Sequence, residues 1–309
     1  MAEIVNGREI YNQIIEETKR YIHEFRANIE KIKAKISPKL SIIAIGEDKE
    51  MEVYIRNKKR AADICGIEIN LVHFQKDISQ RLLEEKIEEI NESDSCGVIV
   101  QLPLPKHIDK KVLDKILPSK DVDCLTSENL GSVLKDIRKA RFIPCACLAM
   151  LDVFDRFKID VKGKYAVVIG ASDLVGKPCA SVLLNLGATV TVCHKYTENI
   201  EKFISEADIV VSAVGKPGLV KGNWIKNKAV IIDIGTRMVD GKILGDVEFD
   251  LAKERASIIT PVPGGIGLIT VAELMKNIAR ALYLNAGTEL TYSISAIGSP
   301  SPTDPPSET

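Results

Sequence analysis

The sequence predicts an α/β protein of two domains, the first built on a parallel sheet and the second organised around a glycine turn. Three observations lead there. Short apolar, β-branched runs alternate with segments of helical periodicity along most of the chain. One such run, Tyr165–Ile169, passes directly into a glycine-rich turn and a helix start. The length of 309 residues suits two hydrophobic cores.

Composition narrows the class. Hydrophobic residues make up 45% and charged residues 28%, an ordinary globular balance. A net charge of −1 offers no electrostatic case for nucleic acid or a membrane surface as partner. Seven scattered cysteines without a C-x-x-C pattern point to reduced thiols and a cytoplasmic setting. Cys145 and Cys147, the one close pair, read as buried thiols. His23, His73, His107 and His194 show no i, i+4 pairing, so no metal centre is expected. No leader peptide and no membrane-length apolar run are visible.

In chain order, Ile10 to Ile36 has helical spacing, and Pro38 stops that helix. Leu40–Ile45 is a buried strand, Gly46 opens a loop, and a second helix covers about Met51 to Cys65 with Gly66 as C-cap. Strand 68–74, helix 79–90 and strand 97–101 repeat the alternation that makes a parallel sheet. Ligands in such sheets bind at the carboxyl ends of the strands, here near Gly46, Phe74 and Gln101. Leu102-Pro-Leu-Pro105 is a stiff connector, and Cys145 to Phe157 is a helix linking the domains. The second domain continues with strands 165–169, 189–193, 208–214 and 229–234. Asp240-Gly241 marks a hairpin, Ser257–Thr260 a last strand, and 269–283 a final helix. The tail past Gly287, rich in Ser and Pro, is expected to be disordered. The resulting division is 1–140, 141–268 and a tail of 286–309, with helix 269–285 joined to the first domain.

Gly170-Ala-Ser-Asp-Leu-Val-Gly176, between strand and helix, is the geometry that aims free main-chain N–H groups at a phosphate. It is neither G-x-G-x-x-G nor a Walker loop, since the gap before Gly176-Lys177 is one residue too long and Pro178 replaces Ser or Thr. At the end of the next strand an NAD site usually places Asp or Glu. Cys193-His194-Lys195 stands there instead, and a cation suits a ribose 2′-phosphate. Lys195 is then either an NADP determinant or an exposed loop lysine.

Tyr54 and Lys58 stand at i, i+4 and so share a helix face. Arg56, Lys59 and Arg60 beside them form either a solvated face or a basic funnel for an acidic small molecule. Gln101 ends a buried strand at the ligand-binding edge, where it could hold the Lys58 amine while Tyr54 stacks on a planar ring. Asp121 and Asp123 are turn residues or, alternatively, carboxylates gripping an amidine-like ring edge.

Together these stretches resemble the bifunctional methylenetetrahydrofolate dehydrogenase/cyclohydrolase family from about Leu40 to Ala281. The resemblance is carried by Tyr54-x-x-x-Lys58, Val98-Ile-Val-Gln-Leu-Pro-Leu-Pro105, Lys120-Asp-Val-Asp123, Ile143-Pro-Cys145, Gly170 to Pro178, Ala188 to His194 and Pro263-Gly-Gly-Ile-Gly267. It implies an N-terminal three-layer α/β domain and a Rossmann-like dinucleotide-binding domain. It implies NADP-linked oxidation of 5,10-methylenetetrahydrofolate to the methenyl form, then hydrolysis to 10-formyltetrahydrofolate. Lys58 would be the acid/base group, working as a neutral amine and positioned by Gln101; Asp123 would anchor the pterin and Tyr54 would pack on the folate rings. Leu102, Pro103, Pro263, Gly264 and Gly265 would also line the substrate site, and the basic residues near Lys58 would meet the glutamate tail. Gly170, Ala171, Ser172, Val175, Gly176, His194, Lys195, Val214, Gly215, Ile234, Gly235 and Thr236 would hold the cofactor. A homodimer through the cofactor domain is implied as well.

The sequence departs from the family pattern in places. Ala171 replaces a usual arginine and Lys195 a usual serine, which opens NAD as an alternative cofactor. Ala146, Cys147, Ala149, Met51, Cys124 and Leu268-Ile269 also differ. Competing readings are a monofunctional dehydrogenase, a non-catalytic folate- or nucleotide-binding regulator, and a dehydrogenase of another small acid such as shikimate. The intact Lys58, Gln101 and Asp123 set favours the bifunctional enzyme.

Overall fold

Two parallel sheets, of three and six strands, and a separate two-stranded hairpin frame the protein in a computed structural model that describes residues 1–32, 36–47, 49–288 and 290. The chain opens with β1 (Glu3–Ile4), α1 (Gly7–Ile32), β2 (Ser37–Ile45), α2 (Lys49–Cys65), β3 (Glu68–Phe74), α3 (Gln80–Glu92) and β4 (Ser95–Val100). Helices α4 (Ser127–Lys135) and α5 (Cys145–Arg156) lead to β5 (Tyr165–Ile169), α6 (Gly176–Asn185), β6 (Thr189–Cys193), α7 (Ile200–Glu206), β7 (Ile209–Ser212) and β8 (Val230–Asp233). The hairpin β9 (Thr236–Val239) and β10 (Lys242–Gly245), then α8 (Phe249–Ala252), β11 (Ile258–Ile259) and α9 (Ile266–Asn285), complete it. The Ser/Pro-rich stretch from 291 onward lies outside the described residues.

The first sheet has the order β3-β2-β4, all parallel. β4 is buried along its whole length, as expected of a strand covered on both faces. Pro38, expected to stop the first helix, instead lies inside β2, after α1 has ended at Ile32. It falls where the register against β4 is broken between Ser37 and Leu40, the one place a residue without N–H costs no ladder bond.

The second sheet runs β1-β11-β8-β7-β5-β6. Its β6-β5-β7-β8 part is parallel and in register, so the ends of β5, β6, β7 and β8 form one carboxyl edge. β1 is a structural addition to the sequence reading. Two residues from the extreme N-terminus pair with β11 in the far sheet, too short a run to carry an alternation signal.

The last helix begins at Ile266, directly after the Pro-Gly-Gly turn, and returns to the first sheet. The α9 residue Asn277 donates to Val122 O at 2.9 Å and Ile143 O at 3.1 Å, Lys276 pairs with Glu17 at 2.8 Å, and the Tyr283 hydroxyl donates to Tyr21 O. The largest core therefore runs continuously from α1 and α9 through α5 to α6 and β5. Among the described residues no helix is long and apolar enough to cross a membrane.

Candidate functional site

Lys58 Nζ donates to Gln101 Oε1 at 3.0 Å, with both side chains partly buried. The sheet explains the meeting. The Gln101 N–H continues the β4 ladder to Ile43 O at 2.8 Å, which holds the residue rigidly at the carboxyl edge under α2.

The Lys120–Asp123 turn is tied to the same strand, since Val98 N–H donates to Lys120 O at 2.8 Å. Lys120 is buried and its ammonium donates to Ser93 O and Ile90 O, satisfying carbonyls at the end of α3. Asp121 is fully buried and accepts from Leu125 N–H, Thr126 N–H, the Thr126 hydroxyl and Asn129 Nδ2, so it is the turn-building residue of the pair. Asp123 is left half-buried against Cys145. That thiol is held well above its usual range, chiefly by burial and then by the Asp123 charge, which it also hydrogen-bonds. Lys58, which is bonded to Gln101, acts on the same thiol in the opposite sense. Cys124 occupies a left-handed conformation at φ +56°, which explains why glycine would be favoured there.

Tyr54, one helical turn before Lys58, shares a hydrogen bond of 3.1 Å with the Thr236 hydroxyl, joining α2 to the hairpin across the interdomain cleft. A cavity of about 390 Å³ lies there, lined by Tyr54, Asn57, Thr236, Pro263, Gly264 and Gly265. Two arginines complete it, Arg8 from the first turn of α1 and Arg237 from β9. Arg8 is set there by the close approach of Gly7, where a Cβ would come within 2.3 Å of Gly264 O. Arg56 and Lys59 line a different cavity, with Gly46, Met51 and His73. Arg56 and Lys59, expected to meet the glutamate tail, are thus apart from the cavity that Tyr54 lines. Helical rotation of about 100° per residue turns Arg56 away from Tyr54 while Asn57 and Lys58 stay with it.

On the facing domain the glycine turn is tight. Gly170 has φ +111°, and a Cβ on Gly176 would lie 2.0 Å from Gly170 O. Ser172 Oγ accepts from Val175 N–H and Gly176 N–H. No hydrogen bond from the main-chain N–H of Ala171, Ser172, Asp173 or Leu174 is made among the described residues. Such a cradle, at the start of α6, fits a phosphate. Gly170 N–H donates to Cys193 O at 2.8 Å, which brings His194 and Lys195 beside the turn. Lys195 lies over the Tyr196 ring at 4.8 Å, and His194 Nδ1 accepts from Tyr196 N–H. Val214 and Gly215 follow β7, while Ile234, Gly235 and Thr236 follow β8, all on the same carboxyl edge. A groove of about 1060 Å³ separates Leu102 and Pro103 from Asp173, Leu174 and Lys177, so the two domains face each other across it. The sequence reading missed Arg8 and Arg237, and also Asp246, which lies under the β7 and β8 loops. Among the described residues no group of three or more His, Cys, Asp and Glu side chains could hold a metal ion.

A phosphate cradle on one wall and a lysine–amide pair with an adjacent carboxylate on the other define a two-domain α/β protein of the dinucleotide-dependent enzyme class. Comparison with known proteins is specific. Residues 5–123 match the catalytic domain, and residues 144–286 the NAD(P)-binding domain, of tetrahydrofolate dehydrogenase/cyclohydrolase. The chain belongs to the tetrahydrofolate dehydrogenase/cyclohydrolase family. The bifunctional protein FolD of Aquifex aeolicus (strain VF5) is 42% identical over 90% of this chain and 94% of its own. Among solved structures, N5,N10-methylenetetrahydrofolate dehydrogenase-cyclohydrolase of Trypanosoma brucei, complexed with NADP cofactor and inhibitor, superposes with a TM-score of 0.86 at 38% identity, covering 91% of this chain and 97% of that one. The bifunctional FolD of Campylobacter jejuni gives a TM-score of 0.86 at 34% identity, covering 91% and 99%.

Proposed function

We propose that this protein oxidises 5,10-methylenetetrahydrofolate to the methenyl form with NADP and then hydrolyses it to 10-formyltetrahydrofolate, in cytoplasmic one-carbon metabolism. The observation that carries the reading is the 3.0 Å bond between Lys58 and Gln101 on the wall opposite the glycine turn. NADP, when bound, supplies the ring that accepts the hydride. The free main-chain N–H groups of the Gly170–Gly176 turn would cradle its phosphates, and Lys195 would meet the 2′-phosphate that Ala171 cannot.

The folate lies across Tyr54, which stacks on its rings. Asp123 takes the two hydrogen-bond donors of the pterin edge with its two oxygens. Gln101 fixes the Lys58 amine against the reacting carbon by accepting from it. That amine takes a proton from water as the water oxygen bonds to the methenyl carbon, and gives it to the ring nitrogen as the C–N bond breaks, while the carbinol hydroxyl loses its proton to solvent as the formyl C=O forms. Arg8 and Arg237 offer the glutamate tail two cations at the outer mouth.

The first domain comprises α1 to residue 140 with the last helix, and the cofactor domain β1 with 141–265, since β1 pairs with β11 and α9 starts at Ile266. Seven buried, unbridged thiols agree with a reducing compartment. The hairpin exposes Met238, Val239, Ile243 and Leu244, which suits pairing with a second copy in a homodimer. The test is Lys58→Met, with methenyl hydrolysis followed by absorbance and NADP+ binding by calorimetry. Hydrolysis is expected to be lost while NADP+ still binds; retained hydrolysis removes Lys58 from its role.

A further inference from the structure

Asp246 follows the hairpin directly and is fully buried. Its Oδ2 accepts from the Ser212 hydroxyl at 2.8 Å and from Val214 N–H at 2.8 Å, while Oδ1 accepts from Lys216 N–H at 2.6 Å. The loop leaving β7 is thereby fastened at both ends to one carboxylate. The turn leaving β8 closes over the same group, because a Cβ on Gly235 would lie 2.0 Å from Asp246 Oδ2. Asp246 is itself held from below. Its N–H and that of Val247 donate to Asp233, whose own N–H donates to the Thr260 hydroxyl. The two loops also touch above it, since a Cβ on Gly215 would come within 3.3 Å of Thr236 O. Thr236 in turn reaches Tyr54 across the cleft.

We infer that Asp246 is a positioning residue for the dehydrogenase half-reaction, its carboxylate fixing the β7 and β8 loops where the nicotinamide half of the dinucleotide rests. The inference depends on the reading that these loops hold that half of the cofactor. It predicts a separation of the two activities, because Lys58, Gln101 and Asp123 stand on the other wall and make no hydrogen bond to Asp246 among the described residues. A residue needed only for folding would lower both activities alike.

The informative variant is Asp246→Asn. An amide has the same shape, but only one of its ends accepts, so its NH2 must oppose Lys216 N–H or the Ser212 and Val214 donors. The dissociation constant for NADP+, read by calorimetry on the full chain, is expected to rise about 10- to 100-fold, the worth of one or two hydrogen bonds to a charged acceptor. The kcat for hydride transfer should fall as well, while hydrolysis of supplied methenyltetrahydrofolate is largely retained. Unchanged NADP+ affinity, or equal loss of both activities, overturns the proposal. Ser212→Ala keeps the charge and both main-chain bonds, and it decides the matter if Asp246→Asn does not fold. Its NADP+ dissociation constant should rise about threefold, and no rise overturns the proposal. Gly215→Val tests the underlying reading separately, as residue 215 has φ +72° in the loop itself. If NADP+ affinity falls in Gly215→Val but not in Asp246→Asn, the loops bind cofactor and Asp246 does not position them. If Gly215→Val leaves affinity unchanged, the site reading fails with it.

Discussion

Glu273→Gln should stabilise the protein at alkaline pH and leave it nearly unchanged at pH 5. Glu273 projects from α9 into the core with 2% exposure. Burial pushes its carboxyl from 4.5 up to about 8, with Asp152 and Glu17 adding to the rise and Lys276 and Arg156 opposing it. The folded pKa is thus raised above the unfolded one. The corresponding stability is fully present below about pH 4.5 and is lost as pH climbs through about 8, because the unfolded chain releases the proton first. At about 1.4 kcal/mol per pH unit, the interval from 4.5 to about 8 sets a ceiling of roughly 5 kcal/mol. Relaxation around the ionised group brings the expected loss to about 2–4 kcal/mol. Glutamine does not titrate, so the variant should overtake the parent between pH 5 and 8 and hold a constant advantage above that. Thermal melts of both proteins across pH 5 to 9 read this as a Tm difference growing to roughly 3–6 °C. Every other titrating group is common to the pair, so the difference isolates Glu273. Parallel melting curves, offset equally at all pH values, would refute the reasoning.

Two further outcomes test the two ends of the cleft. Lys195→Asp should lower the ratio of NADP to NAD efficiency about tenfold or more, since it replaces attraction to the 2′-phosphate with repulsion. An unchanged ratio in steady-state kinetics would mean that another group reads this phosphate. Arg8→Ala and Arg237→Ala should each raise KM for the folate about threefold with little change in kcat, as exposed charges contribute uniform binding. The effect should shrink at high salt, and a fall in kcat instead would assign them to the chemical step.

The strand, turn and helix at Tyr165–Asn185 were legible because every signal there is local: an apolar run, glycines and a helix start within one short segment. Tyr54 and Lys58 were legible for the same reason, through the i, i+4 rule. Arg56 and Lys59 show the limit of adjacency, because neighbours of Lys58 along a helix point elsewhere. Arg8 and Arg237 meet in one cavity from opposite ends of the chain, and nothing near either one marks it. Asp246 reads locally as an ordinary aspartate after a hairpin. Its meaning comes from donors on the β7 loop more than 25 residues away. Local periodicity reports which face is buried, while ligand-holding charges depend on topology that periodicity does not encode.

That topology also explains how two walls of one cleft stay in register. The chain ends are exchanged between the sheets: β1 extends the sheet of the glycine turn, and α9 packs on the sheet that carries Gln101. Gly7, the first residue of α1, touches the Gly264–Gly265 turn that leads into α9, so the two crossings meet at the cavity that Tyr54 lines. Rotating one domain against the other would strain both crossings at the point where Arg8, Pro263 and Tyr54 line the cavity. The Tyr54–Thr236 bond closes the same loop from the other side. The elements that line the Tyr54 cavity are thus also those that join the domains.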